Sequence, residues 1–508
     1  MKKTYGVCFG LLALGLALGS PASMVAAGSG SGSGSETSTT TEAVATPAAS
    51  SPSDLDRRID ALETELLELK TELAAKKAEP AAAVVAAPAV AAQDKPADKI
   101  SVASLFGPTS VSGFVDGYYQ VNFNHPNQGA PNFYPGAGFR AFDFRDKSLN
   151  LNMAELIVDK APAADSAIGR TGYHVSLGFG DGINVTNFFD PGNHGAFTSA
   201  YGGAYSQYLK EAYGSYLAPV GKGLQFDVGK FVTPMGAEVI ESKDNWNYSR
   251  SLLFTYAIPL YHFGVRAKYA FNDKYSLTGF VVNGWNNVVD NNSGKTYGFS
   301  FTGAPSKPWS YAINYLAGPE TTQGTIGNKS ASSNVPASVD GIWRQTWDAM
   351  LMYTPNTQWS FMANYDYGRG DRTITNAATN PNTLSPPVYW TGGAAYAKYS
   401  PTANDYLAAR YEYFYDHDGF TTITSIPVLG TFPASFFNAI GNLNKPHYQE
   451  ITATYQHTFA SYLLGRFEYR HDWSQFPVYA VSTFPRGKKF QDTIALSVIL
   501  LFDSRNAK

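Results

Sequence analysis

The chain has 508 residues, of which 44% are hydrophobic, 14% aromatic and only 16% charged, against a usual charged share of about 25%. Its formal net charge is −3, and residues 101–508 carry 29 basic and 29 acidic residues, so the basic stripe that a nucleic-acid binder needs is missing. Beyond the N-terminus no run approaches the roughly 18 apolar residues of a spanning helix, which excludes a helical membrane protein.

In chain order, Lys2 and Lys3, the apolar run 5–19 and the small residues Val25-Ala26-Ala27 predict a signal peptide over residues 1–27. The single cysteine, Cys8, lies in that run. The processed chain is therefore expected to lack disulfides, thiolate metal ligands and a cysteine nucleophile. Residues 28–53 are Gly, Ser, Thr and Ala with few large side chains, the composition of a flexible linker. Over residues 54–79, Leu55, Ile59, Leu62, Leu66, Leu69 and Leu73 alternate in steps of four and three, a heptad seam that predicts a short coiled-coil helix. So short a helix is marginal alone in water. Pairing with copies of itself into a homo-oligomer, a trimer included, is the favoured reading, and a lone amphipathic helix on a neighbour is the competing one. Residues 80–104 form an Ala/Pro linker.

From about residue 110 to 502, roughly sixteen stretches of about ten residues read as strands by period-two alternation and by Tyr, Phe, Trp and Val enrichment. Long polar connections at 125–147, 181–208, 233–261, 319–344, 369–387 and 417–446 alternate with tight turns at 219–223, 272–274, 305–308, 355–358 and 401–405. This sorting of loops onto one rim and turns onto the other is the pattern of an antiparallel up-and-down barrel that crosses an outer membrane. The fold class is thus all-β, a transmembrane barrel of about sixteen strands over residues 105–508 preceded by the periplasmic helix. In 493–502 the even positions Ile494, Leu496, Val498, Leu500 and Phe502 form an apolar face, while Ile499 and Leu501 blur the other one.

Several runs carry a resemblance: 113–119 (GFVDGYY), 229–238 (GKFVTPMGAE), 247–250 (NYSR), 258–262 (IPLYH) with Gly264, 283–287 (NGWNN), 410–412 (RYE) and 466–470 (RFEYR). Over about residues 105–502 the chain resembles the OmpL-like β-barrel porins of Gram-negative bacteria. The resemblance implies an outer-membrane location and a porin-like role, and no particular solute.

Strand parity names candidate pore-lining residues. A charge on the lipid face costs about 2–4 kcal/mol at mid-membrane for Arg or Lys, so Arg266, Lys268, Arg410, Glu412, Arg466, Glu468 and Arg470 are expected to point inward. The third long connection, 233–261, contains Glu238 and Glu241 beside apolar residues that need cover, and is expected to fold into the lumen and narrow it. Such charges either set a field across the pore or neutralise one another and brace the wall. Asp416-His417-Asp418 and His471-Asp472 read as turn formers rather than metal ligands. Tyr118, Tyr119, Trp285, Trp309, Trp343, Trp347, Trp359, Trp390 and Trp473 read mostly as interfacial girdles.

The leading expectation is a water-filled channel for passive diffusion of small polar or ionic solutes, with lipid and solutes as partners and no cofactor. An enzyme built on a barrel needs a nucleophile held by a base and a third group, and no such motif is visible. A non-conducting structural or adhesive barrel, tethered or oligomerised through its helix, is the alternative.

Overall fold

The protein is described from a computed structural model over residues 107–126, 140–188, 207–290, 292–320, 343–370, 387–417, 419–424, 445–481 and 487–506. The expected signal, both linkers and the Leu55–Leu73 helix lie outside the described residues.

The alternating segments form β1 (Ser110–Asn122), β2 (Ser148–Lys160), β3 (Thr171–Phe179), β4 (Leu209–Ala218), β5 (Leu224–Val232), β6 (Tyr261–Ala270), β7 (Tyr275–Val282) and β8 (Thr296–Ser306). They continue as β9 (Trp309–Pro319), β10 (Trp343–Tyr353), β11 (Trp359–Gly370), β12 (Val388–Tyr399), β13 (Asp405–Asp416), β14 (His447–Ala460) and β15 (Leu463–Ser474). A ribbon of β16 (Tyr479–Ala480) and β17 (Gly487–Lys488) sits in the last connection, and β18 (Phe490–Asp503) follows. All barrel pairs are antiparallel, and β18 pairs with both β15 and β1, closing a barrel of sixteen strands. Closure leaves no strand edge unpaired, the condition for placing backbone in hydrocarbon.

The outer surface is what lipid requires. Leu149, Val228, Val281, Leu351, Leu407, Leu496 and Val498 are exposed apolar side chains on strands. Aromatic pairs gather where strands approach the tight-turn rim, with Trp309 stacked on Tyr353 at 4.2 Å and Trp359 against Tyr399 at 4.7 Å, as interfacial girdles do.

Three tight turns share one device. Asn272 Oδ1 accepts the backbone N–H of Lys274 and Tyr275, Asn356 Oδ1 those of Gln358 and Trp359, and Thr402 Oγ1 those of Asn404 and Asp405. The side chain mimics a backbone turn and needs no extra residues. Two long connections went unread in the sequence: residues 283–295 after β7 and 475–489 after β15 lie on the same rim as the other loops. Both are shorter than the six connections named from the sequence, which hid them.

Candidate functional site

The third long loop, L3 (residues 233–260), lies inside the barrel. Its apolar residues dictate that position. Leu252, Leu253, Phe254, Ala257 and Ile258 are all buried, and on an external loop they would face water. Inside, they share a cluster with Phe142, Ile183, Phe231, Phe280, Trp390, Phe414, Tyr448 and Ile499. This explains the blurred inner face of the last strand: Ile499 turns into the lumen because L3 brings an apolar core with it. Gly236 takes a φ of +92°, and a Cβ there would lie 2.6 Å from Ile258 Cδ1, so glycine serves both the backbone and the packing.

Charged side chains of the wall hold the loop by its backbone. Arg466 on β15 donates to the carbonyls of Ser242 (2.5 Å), Lys243 (3.1 Å) and Asn245 (3.0 Å). Arg470 reaches the Arg250 carbonyl at 2.7 Å, and Arg410 on β13 the Ser249 carbonyl at 2.7 Å. Carboxylates take the amides: Glu468 accepts Tyr248 (2.5 Å) and Ser249 (2.9 Å), and Glu412 accepts Leu252 (2.6 Å) and Leu253 (2.5 Å). Buried backbone groups must be paired, and here strand side chains pair them. Within L3, Glu238 bridges the Arg410 guanidinium (2.6 Å) and the Ser251 amide (2.7 Å), while Glu241 meets Lys210 of β4.

Seven of the nine candidate residues therefore meet in one clamp: Glu238, Glu241, Arg410, Glu412, Arg466, Glu468 and Arg470. The other two lie apart from it. Arg266 donates to Asp227 at 2.8 Å, with its guanidinium over the rings of Phe231 and Tyr213. Lys268, two residues on, is exposed. Around it, toward the tight-turn rim, Thr302 is exposed and Ser276 and Thr278 are half-buried, while Met350 and Met352 of β10 are half-buried and pack on the apolar cluster. L3 is thus tied by hydrogen bonds and ion pairs to β1, β4, β13 and β15, and exposed inner positions lie near the tight-turn rim of β6 and β8, at Lys268, Thr302 and Ala304.

Several participants were missed. Glu450 of β14 accepts from Arg410 at 2.5 Å and faces Arg470 at 3.5 Å. Asp116 of β1 accepts from Ser242 Oγ and Asn152 Nδ2, each at 2.6 Å. Arg140 ties the first loop to Asp472 at 3.0 Å. Parity along β14, where Glu450, Thr452, Thr454 and Gln456 alternate with Ile451, Ala453 and Tyr455, was the available signal for Glu450.

Some aromatic residues depart from the girdle reading. Trp309, Trp343, Trp347 and Trp359 are exposed and face outward, as does Tyr119. Tyr118, Trp285 and Trp390 turn inward: Tyr118 packs on Tyr248 of L3 at 5.8 Å, and Trp390 donates through Nε1 to the Ala257 carbonyl at 3.0 Å. L3 supplies the inner surface that these rings cover. Asp416 caps the turn after β13, accepting the amides of Phe420, Thr421 and Thr422 at 2.8–2.9 Å. His471 faces out beside Asp492 at 2.8 Å while Asp472 faces in toward Arg470 at 2.6 Å, so the two residues of that run point to opposite sides of the wall. Asp418 lies outside the described residues.

On the inner wall, Asp348 of β10 stands directly opposite Asp366 of β11, and both are buried. Asp348 accepts the amides of Asn314 (2.5 Å) and Asn364 (2.7 Å), while neither oxygen of Asp366 has a hydrogen-bond donor among the described residues. At the loop rim, Glu320 accepts the Trp285 N–H at 2.8 Å and the Thr296 hydroxyl at 2.6 Å. Burial pushes its carboxyl up to about 7, against the pull of Arg344 and these two hydrogen bonds.

A closed sixteen-stranded barrel with an apolar outer band, short turns on one rim and a charged loop folded into its lumen is the architecture of an outer-membrane porin. The family model described as "Putative beta-barrel porin-2, OmpL-like" matches residues 108–502, and the chain belongs to that family. Its barrel resides in the outer membrane, and membership points to a channel rather than an enzyme. No curated protein sequence matches the chain. Among solved structures, the channel DcaP of Acinetobacter baumannii is similar at 13% identity and a TM-score of 0.46, covering 78% of this chain and 97% of its own. An anion-selective porin from Comamonas acidovorans is similar at 10% identity and a TM-score of 0.46, covering 78% and 99%. Outer-membrane-expressed OmpT of Vibrio cholerae gives 10%, 0.46, 78% and 97%.

Proposed function

We propose that small polar or ionic solutes diffuse passively through this porin past the inner faces of β6 and β8. The observation that carries this reading is the division of the lumen. L3 is held by side chains of β1, β4, β13 and β15, whereas Lys268, Thr302 and Ala304 on β6 and β8 remain exposed to solvent. In this reading the seven clamped residues act by holding the constriction in place, and Arg266 and Lys268 act by their charge on passing solutes. The seam at Leu55–Leu73 gathers copies of the barrel into an oligomer on the periplasmic side.

Reversal potentials in asymmetric salt, measured on the purified protein in planar bilayers, test the passage. Wild type should conduct in discrete steps, and Lys268→Glu should shift the reversal potential toward cation preference. A folded barrel that conducts but whose selectivity ignores Lys268 would place the passage elsewhere. Removing residues 28–99 should abolish oligomers and leave conductance.

A further inference from the structure

Arg344 is the second residue of β10, just after the fifth loop, and by parity with buried Thr346 and Asp348 it faces the lumen. Its neighbours across the sheet are Gly318 on β9 and Gly370 on β11, so bare backbone flanks the guanidinium. Trp285, from the loop after β7, and Phe420, from the loop after β13, each place a ring centroid 5.0 Å from its central carbon. Trp390 completes the group, edge-on to Trp285 at 6.2 Å and stacked on Phe420 at 5.5 Å. Gly368 beneath it is required, since a Cβ there would overlap the Trp390 ring.

The inward arginines of the clamp, Arg410, Arg466 and Arg470, spend their N–H groups on carboxylates and carbonyls. Arg344 forms no hydrogen bond or ion pair among the described residues, and it is half-buried. The nearest acid, Glu320, has committed one oxygen to Trp285 and the other to Thr296. Beside it Asn287 is fully buried with both amide atoms unpaired among the described residues, and a Cβ on Gly284 would lie 2.6 Å from Asn287 Nδ2 and 2.9 Å from Glu320 Oε2. An unpaired guanidinium held between two rings and an unpaired amide thus occupy the same corner of the loop rim.

We propose that Arg344, held by Trp285 and Phe420, is a capture site for small planar carboxylates entering the barrel. The aromatic contacts orient the cation and offset the cost of lifting it from water. The N–H edge left free matches the two oxygens of a carboxylate, which a guanidinium binds in a bidentate way and an ammonium does not. Trp285 and Phe420, both half-buried, offer apolar surface to the rest of the solute, and the buried Trp390 backs them. The physiological sense of the site rests on the passage described above, but its existence does not.

Calorimetric titration of the full-length, detergent-solubilised protein with benzoate tests the site without any need for conductance. Saturable binding is expected in wild type, weakened roughly tenfold or more in Arg344→Gln, the loss of a charge-assisted pair. Arg344→Lys should fall between them, and Trp285→Leu, which keeps the cation and removes a ring, should also weaken binding even if the glutamine variant fails to fold. Absence of saturable binding in wild type, or equal affinity in wild type and a folded Arg344→Gln, overturns the proposal. Planar-bilayer conductance separates the two readings: a channel that conducts but binds no benzoate removes the capture site alone, and one that binds benzoate but never conducts removes the passage alone.

Discussion

Arg410 on β13 donates to the Glu238 carboxylate of L3 at 2.6 Å, joining residues 172 positions apart in the chain, with both side chains almost wholly withdrawn from water. That contact ties the constriction loop to the wall. Replacing Arg410 with Ala leaves Glu238 without its cation and Glu450 with only Arg470 at 3.5 Å, a loss of about 3–5 kcal/mol. Unfolding of the detergent-solubilised barrel in urea should register it, and Arg410→Met with Glu238→Gln and Glu450→Gln together should recover much of the loss.

Glu468 holds two consecutive L3 amides. Glu468→Gln offers a single acceptor oxygen in place of two, leaving one amide unpaired at a cost of about 1–3 kcal/mol. Hydrogen exchange at Tyr248 and Ser249 should accelerate relative to the strand amides; unchanged protection would mean that the carboxylate does not hold the loop.

Asp366 faces Asp348 with no hydrogen-bond donor among the described residues. Asp366→Asn removes the like-charge contact and supplies an N–H₂ group to Asp348, so it should stabilise the barrel by about 1–3 kcal/mol, read as a higher melting temperature. Asp366→Ala, which supplies no donor, should give less.

Much of this organisation was legible before the structure. Alternation in 493–502 and 462–470 assigned wall and lumen faces because lipid tolerates no error in a two-residue period. Glu238, Arg410 and Arg466 were nominated from parity and loop length. Their partners were not: nothing local to Glu238 points to Arg410, because the contact depends on how far L3 reaches across the lumen. Trp390 was read with the girdle residues, and its inward position was not legible, since the room that Gly368 makes for it belongs to two strands at once. Asn287 belongs to the 283–287 run that carries the resemblance, but nothing in that run says that its amide is buried without a partner among the described residues.

The lipid face makes its own prediction. Leu496 on β18 is 56% exposed, and Leu496→Arg should cost about 2–4 kcal/mol of folding free energy in liposomes if it sits near mid-membrane. A cost near zero would place that side chain out of the hydrocarbon.

Glu320 gives a pH dependence. Its carboxyl is held up to about 7 by burial, above its ordinary value of 4.5, with Arg344 opposing and Asp290 reinforcing the shift. The folded protein therefore binds more protons than the unfolded chain between those values, and stability should fall as pH rises from about 4.5 to about 7, then level off. Glu320→Gln should flatten that segment of the melting profile; an unchanged slope would assign it to another group.

Single-channel conductance most directly tests the claim that wall charges hold L3 in the lumen as the constriction. Wild type should give small discrete steps, and the triple variant Arg410→Ala, Arg466→Ala, Arg470→Ala should give larger, noisier ones as the loop comes free. Equal step sizes in the two folded proteins, or silence from both, would contradict it.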